Sequence, residues 1–151
     1  MNIFDQISAD IKTAMLARNH VETEALRGIK KEFLEAKTAK GSNGELTDEA
    51  ALKIIQKMAK QGKDTAAIFK ENNRLDLANE YLEQVTIYER YLPAQMSKAE
   101  LEKVLKGIIE QIGAKSPQDM GKVMGIASKQ LAGKAEGKAI STTIKELLAS
   151  L

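Results

Sequence analysis

Apolar residues recur along this chain at intervals of three and four, the period of a helix packed on one side. Ile3, Ile7, Ile11 and Met15 step by four and predict a first helix. A break follows at Asn19-His20. Leu26, Ile29, Phe33 and Ala36 give a second stripe. Gly41-Ser42-Asn43-Gly44 combines two glycines with two turn formers and predicts a flexible loop. Thr47 is placed to cap the next helix, whose first turn carries Asp48 and Glu49, the charge sign favoured there. Leu52, Ile55, Met58 and Ala59 form its stripe, and Gly62 is expected to weaken or end it. A further turn or two is expected over 65–72. Leu77, Tyr81, Val85, Tyr88 and Leu92 predict another helix that stops before Pro93.

The last third is more sharply punctuated. Ser97 and Glu100 have the spacing of a capping box, in which each side chain satisfies an amide of the other. Leu101, Val104, Leu105, Ile108 and Ile112 follow on one face, and Gly113 supplies a stop. Ser116-Pro117 opens the next helix, with Pro117 at its first position. Met120, Val123, Met124, Ala127 and Leu131 are its stripe, ended by Gly133. A final helix from about Gly137 carries Ile140, Ile144, Leu147 and Leu151 on one face. No segment alternates with period two. The expected fold is therefore all-α, with N-terminal helical hairpins and a C-terminal three-helix module.

Charge and aromatic content place the division between these parts. The 151 residues carry a net charge of +2. Residues 1–92 hold 14 basic and 15 acidic side chains, whereas 93–151 hold 9 basic, all Lys, and 6 acidic. All six Phe and Tyr precede Pro93. The expected domains are 1–92 and 93–151. A stretch of about 20 apolar residues, as a membrane span needs, is not found, and the N-terminus lacks the pattern of a signal peptide. A cytoplasmic protein is expected on these grounds.

The chemistry open to the chain is narrow. It has no cysteine and one histidine, His20, so thiolate nucleophiles and cysteine or two-histidine metal sites are excluded. His20 sits in an inter-helix break, where it reads as a surface or capping residue. Neither a phosphate-binding GxxxxGK[ST] nor a GxGxxG is present. Acidic pairs such as Glu22/Glu24 read as a solvated face. No cofactor, no metal and no catalytic residue is expected.

The glycine–lysine pattern after Ser116 is less ordinary. At 100° per residue, Gly121, Lys122, Gly125 and Lys129 share the helix side opposite the apolar stripe. A glycine inside a helix costs about 1 kcal/mol relative to alanine, so two of them call for a reason. One reason is close helix–helix packing inside the fold. The other is a bare basic face on which a phosphate backbone can lie. Gly133, Lys134, Gly137 and Lys138 then surround a helix N-terminus, the general recipe for an anion site, and equally for a tight turn with solvated lysines. Glu136 works against an anion there. The lack of any aromatic after Tyr91 disfavours stacking on unpaired bases and leaves phosphate and shape as what could be held.

Three segments carry a resemblance. Tyr91-Leu92-Pro93-Ala94-Gln95-Met96-Ser97, Asp119-Met120-Gly121-Lys122-Val123-Met124-Gly125 and Gly133-Lys134-Ala135-Glu136-Gly137-Lys138 resemble, in order, the motifs of the YqeY-like family. The resemblance spans essentially the whole chain. It implies an all-helical fold whose C-terminal module also forms the tail of GatB, the tRNA-binding subunit of a bacterial amidotransferase. That tail is associated with tRNA binding, so the resemblance implies Gly121, Lys122, Gly125, Gly133, Lys134, Gly137 and Lys138 as RNA-binding residues, and Lys129 joins them from its place on the same helix face as Lys122. The family usually has Asp where this chain has Glu136, and a shorter carboxylate caps a helix better. The amidotransferase catalytic core is missing, so its activity does not carry over. The expectation is a bacterial, cytoplasmic, non-catalytic accessory protein of translation. Its partner would be tRNA or a protein of the tRNA-charging machinery. The alternative is a protein-interaction adaptor that makes no RNA contact.

Overall fold

The computed structural model describes residues 2–41 and 43–151. Ser42, which the sequence places in the glycine loop, lies outside the described residues. Those residues form seven α-helices and no strand. They are α1 (Ile3–Leu16), α2 (His20–Thr38), α3 (Asp48–Glu71), α4 (Leu75–Glu89), α5 (Lys98–Ile112), α6 (Met120–Gln130) and α7 (Gly137–Ala149), with one turn of 3-10 helix over Pro117–Asp119 before α6. The chain divides into two compact units, Met1–Pro93 and Ala94–Leu151. No helix among the described residues is long and apolar enough to cross a membrane.

In the first unit α1 packs on α2, α3 on α4, and α2 on α4. Ile7, Leu26, Ile29, Phe33 and Ile55 are fully buried at its centre, each worth about 1.5–3 kcal/mol in area removed from water. The helices begin where side chains can cap them. Asn2 accepts from the amide of Asp5, Asn19 from Glu22 and Thr47 from Ala50. His20 is the first residue of α2 and is exposed. The stripe of α1 drifts from the simple step of four. A four-residue step advances 400°, so it gains 40° each time. By Met15 the face has turned away; Ala14 is buried in its place and Met15 is half-exposed.

Gly62 overturns the expected helix end. α3 runs unbroken through it to Glu71. A Cβ built at Gly62 would stand 2.5 Å from Cγ2 of Val85 on α4. The glycine therefore lets α3 and α4 approach closely at this position, and the residues expected to start another turn simply continue α3. Tyr91, after α4, ties the end of the unit to its beginning. Its hydroxyl donates to Oδ2 of Asp10 at 2.5 Å. Burial, and then the bond to the Asp10 carboxylate, push the phenol well above its ordinary range.

The second unit has its own core, in which Leu105, Val123, Ala127 and Ile144 are fully buried. α5, α6 and α7 pack mutually around it. Ser97 caps α5 by accepting from the Glu100 amide at 3.2 Å. The left-handed Gly113, at φ 70°, closes α5. The next turn is organised by Asp119, whose carboxylate accepts from the amides of Lys115 at 2.9 Å and Ser116 at 3.3 Å. α7 buries Ile140, Thr143, Ile144 and Leu148 and ends at Ala149. Leu151, expected on its apolar face, follows the helix and is exposed.

Two expectations follow. Gly62→Ala places a methyl group against a β-branched side chain that is stiff at χ1, and should lower stability in a thermal melt by about 1–3 kcal/mol. The same substitution at the open Gly28, where the nearest neighbour is the flexible tip of Met58 at 3.8 Å, should not. For Tyr91 the folded-state pKa lies above the unfolded one, so its contribution is complete below pH ~10 and is lost as the pH rises beyond that. Tyr91→Phe should destabilise the protein at neutral pH and flatten the alkaline limb of its stability profile.

Candidate nucleic-acid interface

The eight residues singled out from the sequence fall into three structural situations. Gly121, Lys122, Gly125 and Lys129 are exposed on α6, opposite the buried Val123 and Ala127. The packing explanation for their glycines does not hold. A Cβ added at Gly121 or Gly125 meets nothing within 4 Å. Leu131 and Gly133 continue the chain out of α6, and Gly133 is buried at φ 77°. It is a turning residue, since a side chain in that conformation is strained. Lys134, Gly137 and Lys138 are exposed at the start of α7, and Gly137 also faces open space.

A pair of hydrogen bonds holds this turn. Nε2 of Gln95 donates to the carbonyl of Gly133 at 2.6 Å. The amide of Met96 donates to the carbonyl of Lys134 at 3.0 Å. The segment that leads into α5 is thereby clipped to the segment that leads into α7. A groove of about 510 Å³ lies beside the clip. Met96, Leu101, Ala135 and Ala139 give it apolar walls, and Lys98, Lys134 and Lys138 stand around it with Glu136 and Glu146. Lys122 and Lys129 do not line it. The lysines thus occupy two places in the unit, an open helix face and a groove.

Electrostatics separate the two units. In the first unit Arg90 pairs with Glu22 at 2.8 Å and Lys63 with Glu89 at 3.4 Å. Lys122, Lys129, Lys134 and Lys138 make no such pair. Asp119 immediately precedes α6. The Lys115 amide, chiefly, holds its carboxyl below the usual range against some desolvation, with the Ser116 amide and the Lys122 charge adding to it. Glu136 is the N-cap residue of α7, and its side chain makes no capping hydrogen bond; the longer carboxylate does not replace an Asp cap. Among the described residues no group of three or more His, Asp or Glu could hold a metal ion.

Sequence reasoning missed Gln95 as a joint, although it lay inside a recognised motif. It missed Lys98 and Thr143 as groove residues. Thr143 hides within the apolar stripe of α7 and gave no signal of its own.

The model of the family described as "Yqey-like protein" matches residues 4–148. Curated relatives are fungal. A protein of Pyrenophora tritici-repentis named "Altered inheritance of mitochondria protein 41, mitochondrial" is 26% identical over 97% of this chain and 81% of its own length. Proteins of the same name from Clavispora lusitaniae and Kluyveromyces lactis are 27% and 25% identical, over 85% and 92% of this chain and 74% and 72% of theirs. The expectation of a bacterial, cytoplasmic protein is corrected by these names, which belong to mitochondrial proteins of eukaryotes. The physical reason is that helix periodicity and charge encode the fold, whereas a cellular address is carried by signals that receptors read separately.

The open face carries a stability expectation. Gly125→Ala, inside α6, should raise stability by about 1 kcal/mol through helix propensity alone, with a smaller gain for Gly121→Ala in the first turn. A loss at both positions in thermal melts would mean that the glycines are packed after all.

Proposed function

The chain belongs to the YqeY-like family, and from that premise we propose that it is a non-catalytic accessory protein whose C-terminal unit binds tRNA through phosphate and shape. The observation that carries the reading is the α6 face. Gly121 and Gly125 lower helix propensity, contact nothing, and leave Lys122 and Lys129 standing on bare backbone. A flat basic helix surface admits a phosphate backbone closely, and each contact gains by releasing counterions. Lys134 and Lys138 extend the positive surface onto the start of α7. No aromatic side chain lies in the unit, so unpaired bases find no stacking platform, and a folded RNA is the better ligand. The names of the relatives describe no reaction.

The test is the salt dependence of binding to tRNA. The slope of log K against log salt should become shallower by about 0.7–0.9 for each contacting lysine replaced by alanine. Lys122, Lys129, Lys134 and Lys138 are the positions to change. Lys53, already paired with Glu49 at 3.4 Å, and Lys57 serve as controls in the first unit. Folded tRNA should bind more tightly than an unstructured strand of equal length. An unchanged slope in the quadruple variant, with equal binding to both RNAs, would remove the RNA reading and favour an adaptor that meets another protein.

A further inference from the structure

The hairpin of α3 and α4 leaves one of its faces exposed. Leu75 and Leu82 are 58% and 45% exposed, although both lie on a helix that packs against α3 and α2. At 100° per residue Leu75, Asn79 and Leu82 fall within about 60° of one another, and so do Lys63, Ala67 and Lys70 on α3. Both trios have the four-then-three spacing of a bundle seam. They border one groove of about 440 Å³, with the buried Ala66 and Ala78 between them. One side of the groove therefore carries large apolar knobs. The other carries an alanine and two lysines, whose aliphatic stems cover apolar surface while their ammonium groups stay in water.

Charge follows the same division. Asp76 and Glu83 are exposed on α4, beside the leucine stripe and on the flank turned away from α3. Contacts of Gly62 with Val85 and of Phe69 with Tyr81 show the two helices running antiparallel. With Gly62 level with Val85, Lys63 stands level with Glu83 and Lys70 with Asp76, to within one residue. Within one chain these charges lie on opposite edges of the face. A two-fold axis along the groove keeps each residue at its level and exchanges the edges. α3 then lies on α4 of a second copy, the leucines seat beside Ala67, and each lysine meets a carboxylate of the other copy, twice over. The alternative, α3 on α3, would oppose lysine to lysine. The local pairs of Lys63 with Glu89 and of Arg74 with Asp76 are exposed, and pairs of that kind yield readily. We propose that this face binds a second copy of the chain, with α3 and α4 of both copies forming a four-helix bundle. The contact is independent of the RNA reading, which concerns the other unit.

Sedimentation equilibrium of the full chain over a concentration series should show a monomer–dimer equilibrium, with a melting temperature that rises with concentration. Leu82→Glu changes an exposed residue, so helix content by circular dichroism should hold. The dissociation constant should rise at least about a hundredfold, because one substitution acts in both copies. Ile68→Glu, also exposed but outside the stripe, should leave it unchanged. Glu83→Lys and Lys63→Glu should each weaken the dimer about tenfold, and together return it to within about threefold of the unsubstituted chain. A fold defect or an unspecific apolar contact does not give that rescue. A chain monomeric to about 1 mM, a dimer indifferent to Leu82→Glu, or charge reversals whose effects simply add would each overturn the second copy. In the monomeric case, binding of the dye ANS that Leu82→Glu abolishes would assign the face to a different protein.

Discussion

The second unit depends on a clip of two hydrogen bonds, from the Gln95 side chain to Gly133 and from the Met96 amide to Lys134. Without it the chain between α6 and α7 would be a surface turn with solvated lysines. With it, the residues before α5 and those before α7 are fixed side by side, and two helix starts border one groove. Gly133 makes the clip possible. Its positive φ turns the backbone after Leu131 so that two successive carbonyls meet donors from the 95–96 segment. Ser97 then begins α5 at once by capping it, so the same short segment sets both the turn and the helix.

Glycine does three different jobs here that look alike in sequence. Gly62 is needed for proximity, because a side chain would enter Val85. Gly113 and Gly133 are needed for backbone conformation, with φ near 70° and 77°. Gly121 and Gly125 are needed for neither, since they are helical and face open space. Only the first two kinds support the fold. The third lowers helix propensity without a return in packing, and that imbalance directs attention to α6 as a surface kept bare for contact.

The helices were legible because a core-facing helix must repeat its apolar positions near 3.6. The same regularity misleads where it is taken as a step of four, as at Met15, or carried past a helix end, as at Leu151. The exposed lysines of α6 were legible too, because burying Val123 and Ala127 fixes what points away. The groove was not. Its walls come from residues 95–101 and 134–146, and no local pattern reports a clip made across that distance. Thr143 was hidden for a related reason. A threonine within an apolar stripe reads as core, and only the lack of a hydrogen-bond partner in three dimensions distinguishes it. Gly62 reversed its meaning for want of the same information, namely what lies across from it.

The unpaired lysines bear on why the two units differ. An exposed ion pair contributes about 0–1 kcal/mol, so the pairs of the first unit add little to its stability, and Lys122 and Lys129 on α6 lose little by having none. Fold stability therefore does not explain either arrangement. What the pairs change is the field presented to a ligand. In the first unit cations such as Lys53, Lys63 and Arg90 are neutralised locally. On α6 two ammonium groups stand on bare backbone with Asp119 occupied by the turn amides. In the groove three ammonium groups meet two carboxylates, a balance that leaves Lys134 and Lys138 a weaker contribution to the field than Lys122 and Lys129. The open α6 face is thus the less compensated of the two places, and the one better suited to extended phosphate contact.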